Sequence, residues 1–256
     1  MNTAIDIHNL TVIYSQKPVL WNVDGQLPEG QLIGIVGPNG AGKSTFLKAI
    51  MDLIPVANGK VSFFGEALDQ HRKRIAYIPQ RQSIDWDFPT TVYEVVVMGH
   101  YPKKGLFGKL NANDHQKVEE SLKQVGMWEF RNRQIAELSG GQQQRVFLAR
   151  ALCQKADLYL MDEPFAGVDA ATEEAILDLL KKLRSEGKTV VVVHHDLQTV
   201  QTYFDWVMLL NGHLVGLGPM EEVFTEENLK ATYGGTLTVL SKMGQLIQSK
   251  SFPIRE

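Results

Sequence analysis

An apolar run, Leu32-Ile33-Gly34-Ile35-Val36, leads directly into Gly37-Pro38-Asn39-Gly40-Ala41-Gly42-Lys43-Ser44, which has the spacing G-x-x-x-x-G-K-[ST]. A buried strand must therefore turn abruptly into a helix around a polyphosphate. Gly37, Gly40 and Gly42 allow backbone angles and close approaches that a Cβ would forbid. Pro38, Asn39 and Ala41 complete the loop, and Thr45 follows in the first helical turn. The amides freed by the turn point at phosphate oxygens, and the positive end of the helix beginning near Lys43 favours an anion. Lys43 supplies a mobile cation for the β and γ phosphates, and Ser44 offers a hydroxyl to Mg²⁺. The segment predicts a nucleoside triphosphate site.

A second acidic element fits that site. Leu158-Tyr159-Leu160-Met161-Asp162-Glu163 reads as an apolar strand delivering two carboxylates at its end. Asp162 is expected to hold Mg²⁺ through water, because Mg²⁺ keeps several waters and takes few carboxylates. Glu163 is expected to polarise or deprotonate the water that attacks the γ phosphate. The competing reading is a pair of acids that merely cap the next segment.

The chain has 256 residues, 44% of them hydrophobic, enough for one domain with an inserted subdomain or for two small ones. Its net charge of -3 and lack of a long basic block argue against nucleic acid as a partner. The lone Cys153 rules out an internal disulfide and a cysteine-rich metal site, points to a reducing compartment, and reads as a small buried residue in a helix. The N-terminus lacks a basic flank and an apolar core, and no stretch is long and apolar enough to span a bilayer, so the chain is expected in the cytoplasm.

Periodicity gives the organisation. Alternation at Leu10, Val12 and Tyr14, the runs Val19 to Val23 and Gly59 to Gly65, and a turn at Pro28-Glu29-Gly30 predict a small β subdomain around a helix from about Lys43 to Leu53, with Pro55 beyond its end. From about 85 to 155 the spacing of Val92, Val95 and Val96, then Val118, Leu122 and Val125, is helical and predicts an inserted helical subdomain. After 157, strands alternate with helices, which predicts a largely parallel α/β sheet. Ligands of such sheets sit at the carboxyl ends of strands, where Gly37, Asp162-Glu163 and His195 lie. The phosphate loop is not repeated within the chain. The segment 236–256 reads as a tail with loosely ordered last residues.

Leu138-Ser139-Gly140-Gly141-Gln142 narrows the family. Ser139 and Gln142 fit a capping box, yet two glycines in the first turn weaken a helix by roughly 0.5 to 1 kcal/mol each, so capping alone does not explain them. Bare backbone at a helix N-terminus suits an anion. With this pentapeptide in place, residues 5 to 235 resemble the ATP-binding subunits of ABC transporters, whose motifs occur here in the expected order.

That resemblance implies an α/β P-loop NTPase core with a largely parallel sheet, an N-terminal antiparallel β subdomain and an inserted α-helical subdomain, spanning 1–235. It implies ATP and Mg²⁺ as ligands. Ser139, Gly140, Gly141 and Gln142 would contact the γ phosphate of ATP held by a second subunit, so that two chains close head to tail. Gln80, in Tyr77-Ile78-Pro79-Gln80, would sense Mg²⁺ and water; by itself it reads as an ordinary loop glutamine. His195 would contact the γ phosphate, Asp169 would lie at the dimer interface, and Tyr14 would stack on adenine. On the residues alone, Asp169 only begins the next helix and Tyr14 is an aromatic at a strand end. A metal site at His194, His195 and Asp196 is disfavoured because neighbouring strand residues face opposite sides. His194 departs from the family, where Thr is frequent, as does Ala166-Gly167-Val168-Asp169, where Ala-Leu-Asp endings are common.

With no membrane span in the chain, transport would need separate transmembrane permease subunits, an extracytoplasmic substrate-binding protein, and a homodimer or a pair with a related ATPase, placed at the cytoplasmic face of the cell (inner) membrane. Trp86 and Phe88, among the acids of Ser83 to Pro89, read either as interface anchors or as core. The run Asp85 to Val92, with Met98-Gly99-His100-Tyr101 and Asp162 to Asp169, is similar to ATP-binding subunits of bacterial manganese, zinc or iron importers. A siderophore, haem or other small-solute transporter would carry the same motifs. A non-transport ABC ATPase of translation or DNA repair usually has two cassettes, long insertions or basic surfaces, which are not visible here. A nucleotide kinase does not need Leu138 to Gln142.

Overall fold

The computed structural model describes residues 2–14, 17–101 and 109–234. Strands β1 (Thr3–Tyr14), β2 (Lys17–Pro28) and β4 (Asn58–Phe63) form an antiparallel sheet in the order β2-β1-β4. A second sheet has the order β5-β6-β7-β3-β8-β9, with β3 at Leu32–Val36, β5 at Ile75–Ile78, β6 at Leu158–Asp162, β7 at Thr189–His194, β8 at Trp206–Leu210 and β9 at Leu214–Pro219. All neighbours are parallel except β8 and β9. Sequence reading did not anticipate that antiparallel edge, since a short hairpin and a crossover leave similar apolar runs.

The parallel strands are uninterrupted apolar runs because both faces of their sheet are covered. Along β7, Val190 and Val192 enter the core shared with the helices of 92–154, while Val191 and Val193 enter a second core with α1 (Lys43–Ile50) and the antiparallel sheet. In β3, Leu32 and Val36 take the first side, Ile33 and Ile35 the second. The central sheet is thus a wall between two cores.

Helix α1 ends three residues before the expected Leu53. Asp52, at φ 56°, donates its amide to Ala49 and Leu53 donates to Lys48, the paired bonds of a left-handed helix stop. Helix α2 (Leu68–His71) follows β4. Between β5 and β6 the described residues form helices α3 (Val92–Val97), α4 (Ala112–Gln124) and α5 (Gly140–Gln154), short 3₁₀ turns and one isolated bridge from Thr91 to Gln134. Capping boxes start all three helices: Thr91 with Glu94, Asn111 with Asp114, and Ser139 with Gln142. Cys153 is buried in α5.

Helix α6 (Ala170–Ser185) connects β6 to β7, and α7 (Leu197–Tyr203) connects β7 to β8. The short α8 (Met220–Val223) and α9 (Glu226–Tyr233) close the described chain, and the segment 236–256 lies outside the described residues. No helix among the described residues is long and apolar enough to cross a membrane.

Candidate functional site

The strand order places β6, β7 and β3 side by side, so Asp162-Glu163, His195 and Gly37 leave one edge of the sheet together. At that edge a cavity of about 470 Å³ is lined by Tyr14, Val19, Asn39 to Thr45, Gln80 and Glu163. Val19 was not anticipated; it enters because β2 crosses the front of the phosphate loop, a long-range placement.

The loop's glycines have distinct reasons. A Cβ on Gly37 would lie 1.9 Å from the carbonyl oxygen of Leu210, because the loop leaves β3 against the end of β8. Gly42 caps α1 at φ 91°, and a Cβ there would meet Leu20 at 2.6 Å. Close approach decides the first position, backbone angle and close approach together the second.

Lys43 is buried, and its ammonium donates to the loop's own carbonyls, Gly37 at 2.8 Å and Pro38 at 3.0 Å. Burial lowers its pKa, opposed by the carboxylates of Glu163 and Asp162. The lysine therefore stands inside the loop, its ammonium held by the loop's own carbonyls. Ser44 donates its hydroxyl to Oδ1 of Asp162 at 2.9 Å. Asp162 is fully buried, and its Oδ2 has no hydrogen-bond partner. Burial raises its pKa, opposed by the bond from Ser44.

Glu163 sits at φ 53°, a left-handed conformation that costs an L-residue about 1 to 2 kcal/mol. Such strain concentrates at working sites. The turn is held by a bond from the Ala166 amide to the Glu163 carbonyl. It leaves the carboxylate facing the cavity, where Oε2 accepts the side-chain amide of Gln80 at 3.1 Å.

The remaining expected residues stand apart from the cavity lining. His195 is exposed, whereas His194 is buried, with Nε2 2.7 Å from Thr199 Oγ1 and its ring against Phe165, Tyr203 and Phe204. Burial, helped by His195, pushes the His194 pKa down to about 4. Ser139 caps α5 by accepting from Gln142, and its own amide donates to Gln142 Oε1 at 2.9 Å. A Cβ on Gly141 would be 3.7 Å from Thr172 and 3.9 Å from Val168, so the two-glycine turn abuts the start of α6. There Asp169 is the N-cap and accepts the Thr172 amide at 2.8 Å. Ser139 and Asp169 are exposed, and Gly140, Gly141 and Gln142 are half-buried between them.

A family model described as ABC transporter matches residues 20–166, more than half of the chain. The chain belongs to the ABC transporter family. Among relatives of this ABC ATP-binding subunit, the manganese transport system ATP-binding protein MntB of Bacillus subtilis (strain 168) is 57% identical over 236 residues, 92% of this chain and 94% of the relative. The zinc transport system ATP-binding protein TroB of Treponema pallidum (strain Nichols) is 56% identical over 235 residues, 92% of this chain and 88% of the relative. Among solved structures, cbiO1 from Clostridium perfringens, part of the ABC transporter complex cbiONQ, superposes with a TM-score of 0.74 at 26% identity, covering 97% of this chain and all of that one. The ABC subunit is accordingly an ATP-binding ATPase.

Proposed function

We propose that this ATPase powers the import of a transition-metal ion, manganese or zinc, through separate membrane permease subunits. The observation that carries the cargo is the identity of 57% and 56%, over 92% of the chain, to ATP-binding proteins of manganese and zinc transport systems. The metal is the cargo of the whole assembly and is read by a substrate-binding protein and the permeases. This chain works on ATP at the cytoplasmic face of the membrane.

Asp162 and Ser44 fit Mg²⁺. A buried carboxylate oxygen without a partner beside a hydroxyl is a hard oxygen donor set, as Mg²⁺ prefers. Ser44 would hold the ion directly, Asp162 through water, and Gln80 would approach it from the cavity mouth. Bound there, Mg²⁺ would neutralise charge on the β and γ phosphates. Lys43 leaves the Gly37 and Pro38 carbonyls to bond the same phosphates, and the amides of 39 to 45 close around them. Tyr14, half exposed at the end of β1, stacks on adenine.

Glu163 accepts a proton from water as the water oxygen bonds to the γ phosphorus and the bond from that phosphorus to the β–γ bridging oxygen breaks, releasing ADP and phosphate. Gln80 orients the carboxylate through the 3.1 Å bond. His195 contacts the γ phosphate. The face formed by Ser139, Gly140, Gly141, Gln142 and Asp169 closes over ATP held by a second ATPase subunit, and closure drives the permeases. Phe88, 56% exposed, is available to a permease, whereas Trp86 packs edge-to-face on Phe147 of α5.

The test is metal uptake in cells with the operon intact and Glu163→Gln introduced. Uptake of manganese or zinc is expected to be lost while the protein still accumulates. Normal uptake of both metals in that variant overturns the reading.

A further inference from the structure

Arg81 follows Gln80 directly, yet its side chain reaches a different element. Its Nε and Nη2 both donate to Oε1 of Gln143 in α5, at 3.1 and 2.9 Å. Gln143 is 4% exposed and is itself held, because its amide nitrogen donates to the Ile135 carbonyl at 3.1 Å. The guanidinium lies over the first turn of α5: a Cβ on Gly140 would meet Arg81 Cζ at 3.0 Å and both terminal nitrogens at 3.2 Å. Gly140 is thus bare partly because Arg81 occupies its side-chain space.

The segment is pinned again five residues on. Trp86 Nε1 donates to the Arg81 carbonyl at 2.9 Å, and the Trp86 ring packs on Phe147, one helical turn beyond Gln143. Residues 81 to 86 therefore lie along one face of the first two turns of α5. Helix stability does not explain the arrangement, because a cation beside a helix N-terminus opposes the helix dipole. The Arg81 guanidinium also lies 5.7 Å from the centroid of the Trp86 ring.

We infer that Arg81 is a positioning residue that latches the loop carrying Gln80 to the helix turn carrying Ser139 and Gly140. The catalytic Glu163 and the face offered to the partner's nucleotide then form one mechanical body: Glu163 to Gln80, Gln80 to Arg81, Arg81 to Gln143. The latch orders that face before the partner arrives, which lowers the entropic cost of association. This inference rests on the head-to-tail closure proposed above.

The full chain carrying Glu163→Gln is mixed with Mg-ATP, and its dimer is followed by analytical ultracentrifugation, with and without Arg81→Ala, Arg81→Lys, Gln143→Ala and the double Arg81→Ala/Gln143→Ala. Binding of a fluorescent ATP analogue to the single chain is measured in parallel. Arg81→Ala and Gln143→Ala are each expected to weaken the dimer about tenfold or more, the range of hydrogen bonds from a charged donor. The double is expected to be no worse than either single, and nucleotide affinity of the single chain to stay within about twofold of the parent, since the phosphate loop is untouched. Arg81→Lys keeps the charge without the fork and is expected to follow Arg81→Ala.

Dimerisation of Arg81→Ala or Arg81→Lys at parental strength overturns the latch, as do single effects that add in the double. If the Glu163→Gln parent forms no ATP-dependent dimer, the closure reading fails separately. Steady-state ATPase of the otherwise unchanged chain then decides: a tenfold lower kcat at unchanged KM in Arg81→Ala supports the coupling, and an unchanged kcat overturns it.

Discussion

Gln80 and Glu163, 83 residues apart, meet through a 3.1 Å hydrogen bond that joins the loops leaving β5 and β6. Glu163→Gln replaces the proposed proton acceptor by an amide of the same shape. ATP turnover is expected to fall by about 10² to 10⁴, the contribution of a positioned general base, with nucleotide affinity retained. A phosphate-release assay beside a binding titration separates the two; parental turnover in the variant would displace Glu163 from its role.

Ser44 and Asp162 predict a metal-dependent loss. Ser44→Ala removes the hydroxyl, and Asp162→Asn removes the charge whose Oδ2 is left without a partner. Affinity for Mg-ATP is expected to drop at least about tenfold in both, while affinity for ATP measured in EDTA stays close to the parent's. Calorimetric titrations with and without Mg²⁺ check this, and equal losses under the two conditions contradict the assignment.

The phosphate loop predicts unequal costs for two alanine substitutions. In Gly37→Ala the new Cβ must displace backbone, the Leu210 carbonyl 1.9 Å away, with a destabilisation of about 1 to 3 kcal/mol or more. In Gly40→Ala, at φ 81°, nothing lies within 4 Å and only the left-handed penalty of about 1 to 2 kcal/mol applies. Urea unfolding of the two variants is expected to rank Gly37→Ala as the less stable.

His194 predicts a pH dependence of stability. Its folded pKa of about 4 lies below the ordinary value near 6.5, so between these limits the unfolded chain binds the proton more readily. Full stability from this group is present above about pH 6.5 and is lost as pH falls towards 4, by on the order of 3 kcal/mol. Urea midpoints of parent and His194→Thr across pH 7.5 to 4.5 are expected to diverge, with the parent the steeper. Parallel curves refute the effect.

Much of this architecture is legible in short stretches of sequence. The strand, glycine loop and helix at 32–50 are consecutive, and the capping box of Ser139 and Gln142 is closed within one turn. Trp86 and Phe88 show where reading stops. Both are aromatics beside acids, and the sequence leaves them alike; Phe147, some 60 residues on, takes one inward and leaves the other exposed. The strained backbone of Glu163 likewise follows from the turn around it, because glutamate has no preference for positive φ.

What the sequence determined by itself was local structure: where a strand, a glycine loop and a helix follow one another, which strands are buried on both faces, and which helices begin where. Spacing suffices there because the interacting groups lie within a turn of one another. The tertiary structure alone decided the pairings across the chain, Ser44 with Asp162, Gln80 with Glu163, Arg81 with Gln143, and Gly37 with the carbonyl of Leu210. Those depend on strand order and on the packing of helices against both faces of one sheet, which bring distant groups into contact, and no local period encodes them.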